Sequence, residues 1–462
     1  MIKEKVLKIS VIVIALVMAI SLYPILDMDE AWYASVSLRM AQTGNWLTPN
    51  FNGTPFPTKP PLWFWITGFT FKIFGPSEIS ARIWALLFTL FTAYLLRAWY
   101  RKSKAHIIYL SCLMPILLAC VGRMDSAMVF FLTLAFLLGY RKRWFWAGVA
   151  LGVSVLAKGP VSVAIWGITF LIYALIYDRR VIKGIVLSGL IAVLIGGSWF
   201  AILYLKGMKD MVKYFLFHEN LARIRTGLEG HTGPFYYYLP ILLLGAVPNL
   251  GRMFKGLSYW SRDKALFYIW FLVVLVIFSI AKTKLPHYIL PLYPALALIM
   301  EQERESFWDW LSGGILILIP LAIIHFLGGK LPEELKKGLF LSSFSVGVLW
   351  AVSLYLKGAR VLLSTALALT LALLVLSPFK SFYPHYLAGV FARERCPELY
   401  STRKALAPST VFYYGKDIKI GEKGKWILSY QEEIPGYKKI FEREGFSLYN
   451  GKWVTLRIFE KR

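Results

Sequence analysis

The sequence predicts a polytopic α-helical membrane protein with about thirteen crossings and a small C-terminal α/β domain outside the membrane. Three observations predict it. Apolar residues make up 57% of the chain and mean hydropathy is +0.57, whereas a soluble chain is about half apolar. Apolar runs long enough to cross a bilayer as helices recur along most of the length. Lysines and arginines gather in short clusters between those runs, as the positive-inside bias requires.

The first run, about 9–26, follows a basic start and has no small-residue cleavage site after it, so it reads as a retained helix. Basic clusters at Lys3–Lys8, Arg97–Lys104, Arg141–Arg143, Arg179–Lys183, Arg252–Lys264 and Lys357–Arg360 are assigned to the cytoplasm. Crossings alternating between them fall near 9–26, 80–98, 105–121, 126–140, 144–157, 160–177, 183–205, 235–251, 265–281, 286–300, 308–327, 340–356 and 359–377. Pro61–Phe74 breaks the alternation if counted as a span. It is read as a helix at the outer interface or partly re-entrant, with Trp63 and Trp65 suited to that depth.

The expected organisation is a transmembrane catalytic domain over 1–380, with outer loops at 27–60 and 206–234, and a periplasmic domain over 381–462. In that tail, Thr410–Tyr414 and Lys452–Ile458 read as short strands, with Gln431–Glu444 helical between them. The N-terminus is expected in the cytoplasm and the tail in the periplasm of a bacterial inner membrane. The net charge of +26 would suggest nucleic acid on a soluble protein. Here topology and anionic membrane lipids explain it better, and no nucleic-acid partner is expected. Three cysteines, Cys112, Cys120 and Cys396, give no disulfide framework or zinc cluster.

The outer loops carry ionisable groups that the membrane does not explain. Asp29 and Glu30 directly follow the first span. They read as acids of a helix first turn, or as carboxylates serving as base or orienter. Lys59 sits in a Pro/Gly-stiffened loop, either snorkelling or offering a point charge to a phosphate. Arg123 and Asp125 share a short turn, as a local ion pair or as the site of a second acid. His218 and Arg223 lie in the longest internal outer loop, on a solvated helix or as ligands of metal and phosphate. Lys282, Lys284, His287 and Tyr288 link two spans on a face where basic residues run against the positive-inside bias, which favours an anionic ligand. Together these place two acids and several cations at one membrane surface. That arrangement fits an anionic lipid donor whose phosphate is held and then leaves.

Asp29-Glu30-Ala31-Trp32-Tyr33, Asn52-Gly53-Thr54-Pro55 through Lys59-Pro60-Pro61-Leu62, Arg123-Met124-Asp125, Ala157-Lys158-Gly159-Pro160, His218-Glu219-Asn220 with Arg223, Tyr236-Tyr237-Tyr238-Leu239-Pro240 and Lys284 through Pro294 occur in one order over about 8–300. In these segments the chain resembles the GT-C membrane glycosyltransferases of the aminoarabinose transferase and protein mannosyltransferase group. The resemblance implies a polyprenyl-phosphate sugar as donor and lipid A as acceptor. It implies that Asp29 and Asp125 match the two outer-loop aspartates, with Glu30 beside the first. Lys59 and Arg223 match the positions that hold the donor phosphate, and Tyr288 lies near it. His218 matches a histidine that can share a divalent metal with an acid just before the lysine; here that position is Thr58, which leaves metal dependence open. Trp32 stands where the family often has arginine, so aminoarabinose and galacturonic acid both remain candidate sugars. The expected arrangement puts the carrier's tail in an apolar groove, its phosphate against Lys59, Arg223 and Lys284, and Lys282 and His287 nearby. The enzyme is expected to act as a monomer. A protein O-mannosyltransferase and a non-catalytic flippase for lipid-linked sugars are the competing readings.

Overall fold

The computed structural model describes residues 14–462 except 100–102, 228–229, 302, 304–305, 328, 330–332, 356–369 and 422. The chain is a helical membrane scaffold with a mixed sheet at its C-terminal end. Among the described residues, Glu78–Trp99, Arg179–Leu205, Arg262–Ile280 and Phe307–Phe326 are each long and apolar enough to cross a bilayer. Leu62–Phe74, Asp125–Tyr140, Trp144–Lys158, Val161–Ile176, Phe235–Ala246 and Pro286–Met300 are shorter apolar helices. Residues 9–13 of the first expected crossing, and most of the last, 359–377, lie outside the described residues.

Among the described residues three expected crossings are broken; in one, 235–251, the helix stops at Ala246 and a second, Leu250–Ser258, follows Pro248. The 105–121 run forms Ala105–Ser111 and Leu113–Ala119, with Cys112 extended between them. The Leu113 N–H, freed by the break, bonds the Val247 carbonyl at 3.0 Å. Pro115 falls in the first turn of the second piece, where its missing N–H costs nothing. The 286–300 run begins as a 3₁₀ turn, Pro286–Leu292, with proline at its start and Pro291 inside it, before Tyr293–Met300 continues as α-helix.

Small residues decide the tightest packing. A Cβ on Gly148 would sit 2.7 Å from Ile191, on Gly152 2.6 Å from Ile195, and on Gly196 2.6 Å from Val155. Glycine at those points lets Trp144–Lys158 and Ile182–Leu205 approach backbone to backbone, as small residues do between membrane helices. Lys158, at the end of the first of these, is thereby fixed in place.

The 27–60 loop is ordered. Asp29–Thr43 is helical, and strands β1 (Asn50–Phe51) and β2 (Thr54–Pro55) form a hairpin. Leu62–Phe74 is helical as expected, but Trp63 does not serve as an interfacial anchor. It is 1% exposed and belongs to the main core. The Trp65 indole is partly buried and donates to the Trp46 carbonyl at 2.5 Å.

In the tail, five strands run in the order β4–β3–β5–β7–β6, over Lys419–Ile420, Tyr400–Ser401, Trp426–Ser429, Lys452–Lys461 and Tyr437–Ser447. β3 is parallel to β4 and β5; β7 is antiparallel to β5 and β6. The Lys452–Ile458 strand forms as expected. Two expectations fail. Residues 410–414 lie in a helix, Pro408–Tyr414, because Pro408 starts it and Gly415, at φ +76°, ends it. A short apolar run is ambiguous until such punctuation is weighed. Residues 431–444 do not form a helix, because from Tyr437 onward the chain pairs with β7. Glu442 lies opposite Arg457 and their side chains meet at 2.6 Å, so charges that could have stabilised a helix act across strands instead.

Candidate functional site: an ion-pair network on the loops

Glu219 gathers the first half of the site. Its Oε2 accepts from Lys59 Nζ at 2.9 Å and from Arg223 Nη2 at 3.0 Å. The Pro60-Pro61 pair after Lys59 stiffens the chain leading into Leu62–Phe74. Glu219 and Arg223 belong to the 206–234 loop, which winds as a π-helix over Tyr214–Ala222. That wider turn is common at functional sites. Here it buries Phe215 and Glu219 together while leaving His218 outside. Burial pushes the Glu219 carboxyl up, but Lys59 and Arg223 overcome this and hold it below its ordinary value of 4.5. Arg223 also donates to the Tyr288 hydroxyl at 3.2 Å.

Arg123 gathers the second half. It meets Asp29 at 2.8 Å and Asp125 at 3.5 Å, and its Nη2 lies 2.8 Å from His287 Nε2. A guanidinium can only donate, so Nε2 accepts and the proton of a neutral His287 sits on Nδ1. Lys158 closes the group with an ion pair to the other oxygen of Asp125. The halves touch: Lys158 Nζ lies 5.0 Å from the centre of the Tyr288 ring, whose hydroxyl reaches Arg223. Four cations and three carboxylates thus line one continuous surface. Asp29 is its most accessible acid, with the side chain 35% exposed against 2% for Asp125 and 4% for Glu219.

The structure brings Asp29, Lys59, Asp125, Arg223, His287 and Tyr288 together, and it corrects four expectations. Glu30 faces away from the network. Its carboxylate takes a bidentate pair from the fully buried Arg82, at 2.7 and 2.8 Å, and accepts the Gly122 N–H at 2.6 Å. It ties the start of Asp29–Thr43 to Glu78–Trp99 and to the turn at Gly122. Lys284, expected against the phosphate, instead donates to the carbonyls of Phe278, Ser279 and Ala281, at 3.2, 2.7 and 2.7 Å, closing the end of Ala265–Ile280. Lys282 is exposed, and its link to the site is a backbone N–H bonded to the Ile224 carbonyl at 3.2 Å. His218 stacks on Tyr214, and no group of three metal-ligating side chains forms among the described residues. The donor set around His218 does not fit a metal ion.

Glu219, Lys158 and Arg123 carry the network without having been singled out as site residues. Each had a signal in the sequence. Glu219 lies between two flagged residues, Lys158 ends an apolar run before Gly-Pro, and Arg123 is two residues from Asp125. An open groove of about 850 Å³ on the C-terminal sheet, lined by Lys423, Lys425 and Lys461, contains none of these residues.

No protein-family model matches the chain. It is 30% identical over 344 residues to the undecaprenyl phosphate-alpha-4-amino-4-deoxy-L-arabinose arabinosyl transferase of Aeromonas hydrophila, covering 66% of this chain and 62% of that one. The enzyme of that name from Wigglesworthia glossinidia is 30% identical over 334 residues, covering 65% and 59%. The chain spans about three fifths of the length of these curated relatives. A protein of unassigned function from Aquifex aeolicus is 32% identical over 305 residues, covering 63% and 72%. Among solved structures, ArnT from Cupriavidus metallidurans bound to undecaprenyl phosphate superposes with a TM-score of 0.83 over 98% of both chains, at 18% identity. The apo form gives 0.78.

Proposed function

We propose that this chain, similar to undecaprenyl phosphate-aminoarabinose arabinosyl transferases and sharing the fold of ArnT, moves a sugar from a polyprenyl-phosphate carrier to lipid A on the outer face of the inner membrane. The observation that carries the reading is the junction at Glu219. It holds Lys59 and Arg223 on one oxygen, beside the accessible carboxylate of Asp29 and its partner Arg123.

In this proposal Glu219 stays paired and holds Lys59 and Arg223 where they also reach the donor phosphate, and the Tyr288 hydroxyl adds a further hydrogen bond. The acceptor oxygen attacks the anomeric carbon, the bond from that carbon to the phosphate oxygen breaks, and polyprenyl phosphate leaves with the electron pair. Lys59, Arg223 and Lys158 neutralise the charge that develops on it. Asp29 takes the proton if the acceptor is a hydroxyl. If the acceptor is an ionised phosphate, Asp29 orients it. Asp125 acts one step removed, holding Lys158 and Arg123. No step passes through a metal. The 1–380 region is the transmembrane catalytic domain and 381–462 a periplasmic domain, with the N-terminus cytoplasmic and about thirteen crossings between. The sugar is aminoarabinose-like or galacturonic acid.

Mass spectrometry of lipid A and of secreted proteins from a deletion strain tests the acceptor. The expected result is loss of a glycosyl adduct from lipid A with secreted proteins unchanged. Loss from proteins instead would make the enzyme a protein O-glycosyltransferase.

A further inference from the structure

Asp29 is flanked by two carboxylates, each held by a different part of the molecule. On one side, Glu30 is clamped by Arg82, which also donates to the carbonyls of Ile20, Tyr23 and Pro24 at 2.8–2.9 Å. On the other side, Asp27 is held from the far end of the chain. Its Oδ1 accepts the Ser409 N–H at 2.8 Å, and its Oδ2 accepts the Ser409 hydroxyl at 2.6 Å and the Tyr383 hydroxyl. The contact continues along the helix that Asp29 begins. Ser35 donates to the Pro408 carbonyl at 3.0 Å, Gln42 to the Gly415 carbonyl at 2.8 Å, and Arg39 pairs with Asp417 at 2.5 Å. The Ile25 N–H, two residues before Asp27, donates to the Tyr413 hydroxyl at 2.6 Å.

We infer that Ser409 and Tyr383 are positioning residues for the transfer reaction: through Asp27 they set where Asp29 stands against Arg123, which makes the C-terminal unit a working part of the site. The inference rests on the proposed role of Asp29. The geometry behind it is short. Only Met28 separates Asp27 from the helix that starts at Asp29, so a shift of the Asp27 carboxylate moves that start directly. A misplacement of about 1 Å at a reacting group can cost on the order of 100-fold in rate. Lys59 and Arg223 are joined to each other by Glu219, and the C-terminal unit meets the Lys59 end of the loop separately, at Asn52 and Ile418, so donor capture does not run through Asp27.

The test uses full-length protein in lipid nanodiscs with a polyprenyl-phosphate sugar and lipid A. It compares Ser409→Ala, Tyr383→Phe, the conservative Ser409→Thr, and Asp29→Asn. The expected result is a fall in kcat of roughly 10-fold or more for Ser409→Ala and Tyr383→Phe, with donor KM within about twofold. The thermal midpoint stays near the parent value and Ser409→Thr largely restores turnover. Unchanged kcat in both variants, or a loss that follows the thermal midpoint and is not rescued by threonine, overturns the inference. Tyr383→Phe removes a single oxygen and serves where Ser409→Ala fails to accumulate. Asp29→Asn separates the two readings. If it is inactive while the other variants are unaffected, only the inference fails. If it turns over normally, the role proposed for Asp29 fails, and the inference with it.

Discussion

Glu219 accepts from two cations at one oxygen inside a mostly buried pocket, and each neighbouring carboxylate has an equally specific partner. These differences separate residues that sequence alone makes look alike. Removing the negative charge with Glu219→Gln leaves Lys59 and Arg223 facing each other without the anion that spaces them. Loss of a charge-assisted hydrogen bond is worth about 1.5–3 kcal/mol. Donor KM should therefore rise about 10- to 100-fold, with a smaller change in kcat. The pH dependence has a fixed sign. The Glu219 carboxyl is held below 4.5 in the folded chain, so the stability its ion pairs contribute is present above that value and is lost only as pH falls below it. Donor binding, followed by a titration of tryptophan fluorescence, should be insensitive to this group at neutral pH and decline only in more acidic solution. Asp29 and Glu30 should separate cleanly despite being adjacent. Asp29→Asn should lose turnover while keeping its thermal midpoint. Arg82→Leu should lose stability by about 3–5 kcal/mol, because Glu30 is then a buried charge without its partner.

At the scale of elements, the account depends on which groups close helix ends and which are left over for a ligand. Lys284 illustrates the distinction. Its place in an outer loop suggested a phosphate ligand, but three carbonyls at the end of Ala265–Ile280 take all its donors. Lys284→Met should cost about 1 kcal/mol of stability and leave donor KM unchanged, whereas Lys59→Ala should raise donor KM. Thermal unfolding alongside steady-state kinetics checks both. The packing of Trp144–Lys158 on Ile182–Leu205 is equally specific. Gly152→Leu would force a side chain into Ile195, and overpacking of this kind costs about 1–3 kcal/mol or more. The same variant should displace Lys158 and lower turnover even in protein that still folds. Much of the site was legible in the sequence because charge beside an apolar run is a strong signal: Asp29, Lys59, Asp125, Arg223 and Tyr288 all fall in the network. Which charges satisfy one another was not legible. Glu30 and Lys284 are consumed by Arg82, far along the chain, and by carbonyls three to six residues back. Neither spacing nor hydropathy records those contacts. The C-terminal strands were harder still, because the register that pairs Glu442 with Arg457 exists only across strands.

For the whole molecule, the helices act as a scaffold that presents five separate segments to one surface: the 27–60 loop with Asp29 and Lys59, the Arg123 turn, the helix end at Lys158, the 206–234 loop and the turn before Tyr288. Crossings such as 105–121 and 286–300 are jointed, and their breaks are closed by partners or punctuated by proline. Hydropathy marks the apolar runs along the chain but does not record the joints within them. The central claim is that Asp29 and the Lys59–Glu219–Arg223 junction perform glycosyl transfer from a polyprenyl-phosphate donor. The most direct measurement is the mass of lipid A incubated with purified wild-type, Asp29→Asn and Lys59→Ala protein and a polyprenyl-phosphate sugar. A glycosyl adduct is expected with the wild type and little or none with either variant. Near-normal transfer by both variants, or movement of the lipid-linked sugar with no glycosylated acceptor from the wild type, would contradict it.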